Sequence, residues 1–99
     1  MFQYCYSLKE IDVTGFDVSG ISDSNNNAHD MFSGCWSLEK ITGIRNFHWN
    51  MTNSLSGFFA NCYNLKELDV SGWYVNNITS FNSCFSGCEA LISLDLSNW

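Results

Sequence analysis

Hydrophobic residues recur along this chain in one order that is repeated four times. Each copy has a phenylalanine, then a cysteine three residues later, then a leucine three residues after the cysteine. The phenylalanines are Phe2, Phe32, Phe59 and Phe85, the cysteines are Cys5, Cys35, Cys62 and Cys88, and the leucines are Leu8, Leu38, Leu65 and Leu91. Self-similarity at a nearly fixed period indicates a repeat architecture, in which equivalent positions of successive copies lie side by side.

Two local patterns within the copies predict secondary structure. Alternation of apolar and polar residues predicts short strands close to residues 10–13, 40–44, 67–70 and 93–96. The segment "NITSFNSCFSGC" predicts one short helix, which Thr79 or Ser80 caps and Gly87 ends. An extra residue in "TGIRN" places Ile44 and Phe47 one step late in the second copy.

One copy cannot fold alone, because it has only a handful of large apolar side chains, each worth roughly 1.5–3 kcal/mol when buried. Ordering its backbone costs roughly 1–2 kcal/mol per residue. Stacked copies cover one another's apolar faces. We therefore expect an α/β fold: a leucine-rich-repeat-like solenoid of about four stacked units, each a short helix or helical turn plus a short strand in one parallel sheet. The units are residues 1–30, 31–57, 58–83 and 84–99 of a single repeat domain, 1–99, which we expect to be part of a longer array.

The segments "MFSGCWSLEKI" and "CFSGCEALISLDLSNW" resemble the BspA-like leucine-rich repeats of bacterial surface proteins. The resemblance covers essentially the whole chain, although Cys84 stands where other copies have Met1 and Met31. It implies a repeat module of cell-surface or secreted proteins that serves in adhesion and binds a protein or glycan on another cell or matrix. It also implies no catalytic residue and no cofactor, so an enzyme is not expected.

Composition narrows the possible partners. The chain has ten acidic and four basic residues, a net charge of −6. Four scattered cations do not form the cluster that displaces counterions from phosphates, so we expect no nucleic-acid partner. No apolar run is long enough for a membrane span, and no signal peptide is visible.

Charged residues alternate with the inward-pointing residues of the predicted strands and should share the open face of the sheet. The candidate partner-binding face consists of Glu10, Asp12, Lys40, Arg45, Glu67, Asp69 and Asp95. In register, Lys9, Glu39 and Lys66 form one row of alternating charge, and Glu10, Lys40 and Glu67 form another. Opposite charges across strands contribute roughly 0.2–1 kcal/mol per pair. The pattern therefore favours a register-setting role, and contact with a basic partner or a divalent cation is the alternative.

The cysteines share one repeat position and should form an interior ladder of free thiols, which behave as small hydrophobes. Neighbouring rungs are close enough that disulfides stay possible. Zinc is disfavoured because no Cys-x-x-Cys pair exists. Cys84 is interpreted as a core residue rather than the redox partner of Cys88. Neither His29 nor His48 stands in a nucleophile pattern, so both should be solvated or hydrogen-bonded, and we assign no catalytic, cofactor or metal residues.

Tyr6, Trp36 and Tyr63 directly follow their cysteines and either form a binding platform or lie half-buried over the helix edge. The function we expect is a non-enzymatic surface or secreted module for adhesion or protein binding. The alternative is a structural subunit that stacks end to end into a filament, because the terminal copies lack polar caps. Asn50 and Asn77 each begin a glycosylation acceptor sequence.

Overall fold

The computed structural model of the chain describes residues 2–18, 29–49 and 53–96. Residues 19–28, the glycosylation acceptor at Asn50 and the last three residues, 97–99, lie outside the described residues. The described elements are the strands β1 (Glu10–Asp12) and β2 (Lys40–Thr42) and one 3₁₀ helix (Ile44–Asn46). Turns, bends and isolated bridges make up the rest of the described ranges.

The expected α/β solenoid of four helix-and-strand units is wrong. Residues 2–18, 29–49 and 53–96 contain no α-helix and only two strands, each three residues long. The predicted strand at 67–70 is reduced to a single bridge between Lys40 and Glu67, and no bridge involves residues 93–96. The molecule measures 29 × 28 × 26 Å and is therefore nearly as wide as it is long.

The two strands pair in parallel and are the only part of the predicted sheet that forms among the described residues. Glu10 lies opposite Lys40, Ile11 opposite Ile41, and Asp12 opposite Thr42. Both isoleucines are buried and their flanking residues are exposed. The predicted alternation of inward and outward side chains is therefore present in β1 and β2.

The sheet stops at β2 because the chain leaves the extended conformation there. Gly43 has a φ of 85° in the left-handed region, and the 3₁₀ helix begins at the next residue. This is the place of the extra residue in the second copy. Residues 68–70 consequently have no extended neighbour with which to continue the ladder, and the bridge at Glu67 stands alone.

Turns replace the predicted helix over residues 77–88. Ser83 and Gly87 have φ values of 55° and 80°, and Gly57 and Asn61 adopt the same conformation in the preceding copy. A right-handed helix cannot pass through such residues. Each cysteine is thus preceded by a run of turns, which we call its turn segment; the four segments are residues 2–5, 30–35, 54–62 and 80–88.

Backbone N–H groups of a turn segment alternate between two kinds of partner. The N–H of Phe58 donates to the carbonyl of Leu55, three residues back, at 3.2 Å. The next N–H, of Phe59, donates to the carbonyl of Cys84 in the following segment at 2.9 Å. Half of the donors therefore shape the turns, and the other half join neighbouring copies.

The phenylalanines of the repeated motif stack in one column beside these bonds. Ring centroids are 5.2 Å apart for Phe2 and Phe32, 5.8 Å for Phe32 and Phe59, and 5.6 Å for Phe59 and Phe85, with the rings within 10° of parallel. The cysteine of each later segment donates its thiol hydrogen to the phenylalanine carbonyl of an earlier one. These bonds join Cys35 to Phe2 at 3.0 Å, Cys62 to Phe32 at 3.2 Å and Cys88 to Phe59 at 3.1 Å.

The core is best covered in the two middle copies. Leu38 and Leu65 are completely buried, whereas Leu8 is 41% exposed and Leu91 is only partly buried. Trp73 is buried beside Phe47 with parallel rings, and its indole N–H donates to the carbonyl of Ile44 at 2.7 Å. The 3₁₀ helix therefore supplies the hydrogen-bond partner of the largest core side chain.

Gly43 and Gly15 allow a matched test of the packing between the first two copies. Both have a left-handed φ, 85° and 83°, so alanine costs a similar strain of roughly 1–2 kcal/mol at either site. A Cβ at Gly43 would lie 2.7 Å from the backbone nitrogen of Thr14, whereas a Cβ at Gly15 meets nothing within 4 Å. We expect Gly43→Ala to lower the free energy of unfolding by about 1–3 kcal/mol more than Gly15→Ala, as measured in urea. Equal losses would contradict the close approach.

Candidate functional site

The predicted charged face contains two cations, and both are paired within the chain. All seven residues of the face are exposed. Lys40 pairs with Glu67 at 3.7 Å, and Arg45 pairs with Asp69 at 3.1 Å. Beside the face, Lys66 pairs with Glu39 at 3.7 Å. Exposed pairs of this kind contribute about 0–1 kcal/mol each.

Two of the four charge contacts predicted along the rows thus form, and the other two do not. Among the described residues, Lys9 and Glu10 make no ion pair, although Glu10 lies opposite Lys40 in the sheet register. The rows therefore connect the second copy to the third more strongly than the first to the second. No ion pair joins β1 to β2 among the described residues, so the register-setting role of the charges stays a prediction.

Arg45 is the centre of the most connected part of the face. Its guanidinium donates to Asp69 at 3.1 Å and to the hydroxyl of Ser71 at 2.8 Å. The same hydroxyl donates to Asp69 at 2.6 Å, and the backbone N–H of Ser71 donates to Asp69 at 3.1 Å. These donors, Ser71 first and Arg45 after it, hold the pKa of Asp69 below its ordinary value.

Asp12 repeats this arrangement without the arginine. The backbone N–H of Thr14 donates to its carboxylate at 2.9 Å, and hydrogen bonds from Thr14 lower the pKa of Asp12. Asp12 and Asp69 are consequently ionised at neutral pH and already accept hydrogen bonds from nearby donors. These two carboxylates therefore act first as turn-forming groups.

A groove of about 440 Å³ opens where the fourth predicted strand fails to pair with the third. Residues 66–69 and Ile92 and Ser93 line it, together with Lys40 and Ile41. The neighbouring turn segments stay joined, because Asn61 donates its N–H to the carbonyl of Ser86 at 2.6 Å. The groove is therefore the result of an unpaired sheet edge, and Ile92 at its rim is 87% exposed.

A row of exposed aromatic rings crosses the surface beside the turn segments. Tyr4, Tyr6, Trp36 and Tyr63 are 55%, 46%, 46% and 40% exposed. The centroids of Tyr4 and Tyr6 are 5.8 Å apart, those of Tyr6 and Trp36 4.3 Å, and those of Trp36 and Tyr63 6.3 Å. We call these four residues the aromatic row. Contiguous exposed apolar surface of this kind is typical of interaction sites.

The backbone of the turn segments sets the spacing of the aromatic row. The N–H of Tyr4 donates to the carbonyl of Ser33 at 2.8 Å, which fixes the first copy against the second. Asn64 donates its side-chain amide to the carbonyl of Trp36 at 2.6 Å, which fixes the second against the third. A Cβ at Gly34 would lie 2.5 Å from the ring of Tyr4, so the ring occupies space that only glycine leaves.

The fourth copy places a carboxylate where the other copies have aromatic rings. The residue that directly follows Cys88 is Glu89, and it is exposed. Glu89 is thus the fourth-copy equivalent of Tyr6, Trp36 and Tyr63, and it carries a negative charge. Aromatic faces attract cations through the ring quadrupole, so row and carboxylate favour the same sign of ligand.

The cysteines are free, and burial raises the pKa of four of them, Cys35, Cys62, Cys84 and Cys88. All five are unpaired, with Cys35, Cys62 and Cys84 buried and the two others partly buried. Desolvation raises the pKa of Cys62 and of Cys84 to about 12 and that of Cys88 to about 11. Thiols of this kind are poor nucleophiles and poor metal ligands, because the thiolate is the reactive form.

The remaining chemistry-bearing residues form no reaction centre in the described ranges. Within residues 2–18, 29–49 and 53–96, no group of three or more histidine, cysteine or acidic side chains is arranged to hold a metal ion. His48 is exposed as expected. His29 differs from the expectation, because its Nε2 is buried and has no hydrogen-bond partner among residues 2–18, 29–49 and 53–96. No helix in this part of the chain has the length and apolar character needed to cross a membrane.

Sequence reasoning found three of the four rings of the aromatic row but not Tyr4. Tyr4 stands one residue before its cysteine, where the other copies have Gly34, Asn61 and Gly87. The signal that indicates its role is this departure, since a tyrosine replaces small residues that favour a left-handed backbone. No feature of the sequence indicates that Ile92 is exposed, because its exposure results from the failure of the predicted fourth strand to pair.

Comparison with known proteins gives one match. Residues 1–99 match the model of a family described as "Mycoplasma protein of unknown function, DUF285". No curated protein and no solved structure matches the chain significantly. The match covers the charged face, the aromatic row and all four copies of the motif.

The buried thiols make stability depend on pH in the alkaline range. The pKa of Cys62 and Cys84 is about 12 in the folded chain and about 8.5 in the unfolded chain. The stability gained by burying these protonated thiols is therefore fully present below about pH 8.5. It is lost as the pH rises towards the folded pKa, because the unfolded chain releases protons that the folded chain retains. Between about pH 8 and about pH 10 we expect the free energy of unfolding to fall by on the order of 2 kcal/mol per buried thiol, as measured in urea.

Cys62→Ala serves as the control for this pH dependence. It removes one titrating thiol and should show a smaller loss over the same pH interval, although it is less stable throughout because of the cavity. An identical loss in both proteins, or rapid alkylation of Cys62 by iodoacetamide in the native state, would contradict the assignment.

Proposed function

The chain belongs to the DUF285 family, whose description assigns no function, and we propose that it is a non-enzymatic binding module of the cell surface or of secreted proteins. Its recognition element is the aromatic row, and its partner is a protein that presents basic side chains. The resemblance of the repeated motif to BspA-like leucine-rich repeats supports the surface location and the adhesive role.

The exposure of the aromatic row is the observation that carries this proposal. Tyrosine and tryptophan are the residues that most often dominate binding energy at protein interfaces, since they bury a large area at a small cost in conformational entropy. Here four of them stand side by side on a backbone fixed by hydrogen bonds between copies. The charged face has fewer groups available to a partner, because Lys40 and Arg45 are already paired with Glu67 and Asp69.

Charge selects the class of partner. The chain carries a net charge of −6, and Glu89 continues the position of the aromatic row. Arginine and lysine side chains gain about 0.5–1 kcal/mol over an exposed aromatic face, and the acidic surface draws them in over roughly the Debye length of 8–10 Å. The same charge argues against a nucleic acid. A glycan that stacks on the rings is the competing partner and is separated by the experiment.

We expect the chain to bind basic peptides through Trp36. The probe is an array of immobilised synthetic peptides that differ only in their number of arginine and lysine residues, with a glycan array in parallel. Trp36→Ala should weaken binding of the basic peptides by about 30-fold in Kd, the equivalent of roughly 2 kcal/mol at a hot spot. Added salt should weaken binding by the wild-type chain, because screening reduces the attraction.

Tyr74→Ala is the matched control. Tyr74 is also an exposed aromatic residue, at 63%, but it lies outside the aromatic row and binds Asn76. It should leave Kd unchanged. Equal losses in the two variants would show that the aromatic row is not the site. Binding confined to glycans would contradict the basic partner, and absence of binding up to millimolar peptide would contradict the proposal as a whole.

A further inference from the structure

The groove between the third and fourth copies has unpaired backbone groups along one wall. Glu67 bridges to Lys40 in the second copy. Successive residues of an extended chain direct their backbone groups to opposite sides, so those of Leu68 point away from the second copy and towards the groove. Neither the N–H nor the carbonyl of Leu68 has a hydrogen-bond partner among residues 2–18, 29–49 and 53–96. Both walls, residues 66–69 and residues 92–93, lie within these described ranges.

The other side of the same wall shows what kind of segment fits it. There the second copy lies along residues 66–68. Lys66 pairs with Glu39 at 3.7 Å, and Glu67 pairs with Lys40 at 3.7 Å. The backbone N–H of Lys66 also donates to the carbonyl of Glu39 at 3.1 Å. A parallel segment in the order acidic, basic, apolar therefore complements this stretch in both charge and backbone.

The side of the wall that faces the groove has the same requirements. The side chains of Lys66 and Glu67 line the groove and stay 57% and 71% exposed in spite of their ion pairs. Leu68 is partly buried and makes the adjoining surface apolar. In the fourth copy Ile92 and Ser93 stand at the equivalent positions of the two charged rows, and both are neutral. Among the described residues, the charges of Lys66 and Glu67 therefore have a partner on one side alone.

We propose that the groove binds an extended segment of another protein, in the order acidic, basic, apolar, which adds as a parallel strand to residues 66–69. The acidic residue faces Lys66, the basic residue faces Glu67, and the apolar residue packs on Leu68. The N–H of Leu68 donates to the carbonyl of the basic residue, and the carbonyl of Leu68 accepts from the N–H that follows the apolar residue. Backbone bonds supply the affinity and side chains the specificity, as in other proteins that bind peptides at a sheet edge.

The order of charges in a peptide tests this assignment. The probes are two fluorescently labelled synthetic peptides of one composition, with Glu-Lys-Ile at the centre of one and Lys-Glu-Ile at the centre of the other. We expect the first to bind about tenfold more tightly in fluorescence anisotropy, because the exchanged order sets like charges against Lys66 and Glu67. Both peptides carry the same net charge, so contact of a lysine with the aromatic row does not distinguish them. Trp36→Ala should therefore leave the ratio unchanged.

Backbone methylation tests the strand addition itself. Methylation of the amide nitrogen that follows the isoleucine removes the donor to Leu68 and should weaken binding by about tenfold. Methylation of the isoleucine nitrogen, whose N–H points away from the wall, is the matched control and should leave Kd unchanged. In the chain, Ser93→Trp fills the groove and should weaken binding by a similar factor. His48→Trp, at an exposed residue outside the groove and the aromatic row, should have no effect.

Several results would overturn the proposal. Equal Kd for the two charge orders, or equal losses from the two methylations, would contradict strand addition, and so would the absence of binding up to millimolar peptide. Binding that Trp36→Ala abolishes and Ser93→Trp retains would place the peptide on the aromatic row. Self-association that Ser93→Trp abolishes would show that a second copy of the chain, rather than another protein, occupies the groove. Because the aromatic row is a different surface, its own peptide binding is read independently.

Discussion

Hydrogen bonds from alternate backbone N–H groups of one turn segment to the carbonyls of the next are the interaction on which this structure depends. Three short described elements cannot hold a chain of this length in place, and the phenylalanine column, the thiol bonds and the aromatic row all take their spacing from these bonds. The bonds also satisfy backbone groups that would otherwise be buried without a partner, a loss of about 1–3 kcal/mol each. The same residue types recur in each copy because the repeated backbone places them in equivalent surroundings.

The turn segments require a left-handed backbone at the residue before each repeated cysteine, and this requirement also affects the surface. The residue before each cysteine has a left-handed φ, at Tyr4, Gly34, Asn61 and Gly87. Glycine and asparagine adopt that conformation readily, whereas for other residues it costs on the order of 1–3 kcal/mol and is found where the surroundings impose it. Tyr4 is in this position, and its ring begins the aromatic row over the space that Gly34 leaves open. The least favourable residue choice in the turn segments thus coincides with the most exposed ring of the aromatic row.

The sequence alone predicted which residues occupy equivalent positions, because these lie at a fixed distance in sequence from a cysteine. It did not predict the backbone conformation between those positions. Phe2, Phe32, Phe59 and Phe85 share one offset, and they do lie in one column. The helix at 77–88 was wrong because apolar spacings of three and four residues fit a run of turns as well as a helix, and a serine at position 83 does not signal a left-handed backbone. The third and fourth strands have the right alternation, but a strand also needs a neighbour, and the turn at Gly43 removes it. The same limit applies to the candidate site: the sequence marked Trp36 as a candidate ring, and its spatial continuity with Tyr4 appears only in three dimensions.

The cysteines have a consequence for where this chain can fold. Three of them, Cys35, Cys62 and Cys88, act as hydrogen-bond donors to phenylalanine carbonyls, a role that only the reduced side chain can perform. Small proteins that leave the cell commonly rely on crosslinks formed in oxidising surroundings. This chain instead uses its cysteines as reduced thiols, the state in which they are synthesised. The described fold therefore needs no oxidant, and oxidation of Cys35, Cys62 or Cys88 would remove a hydrogen bond between copies.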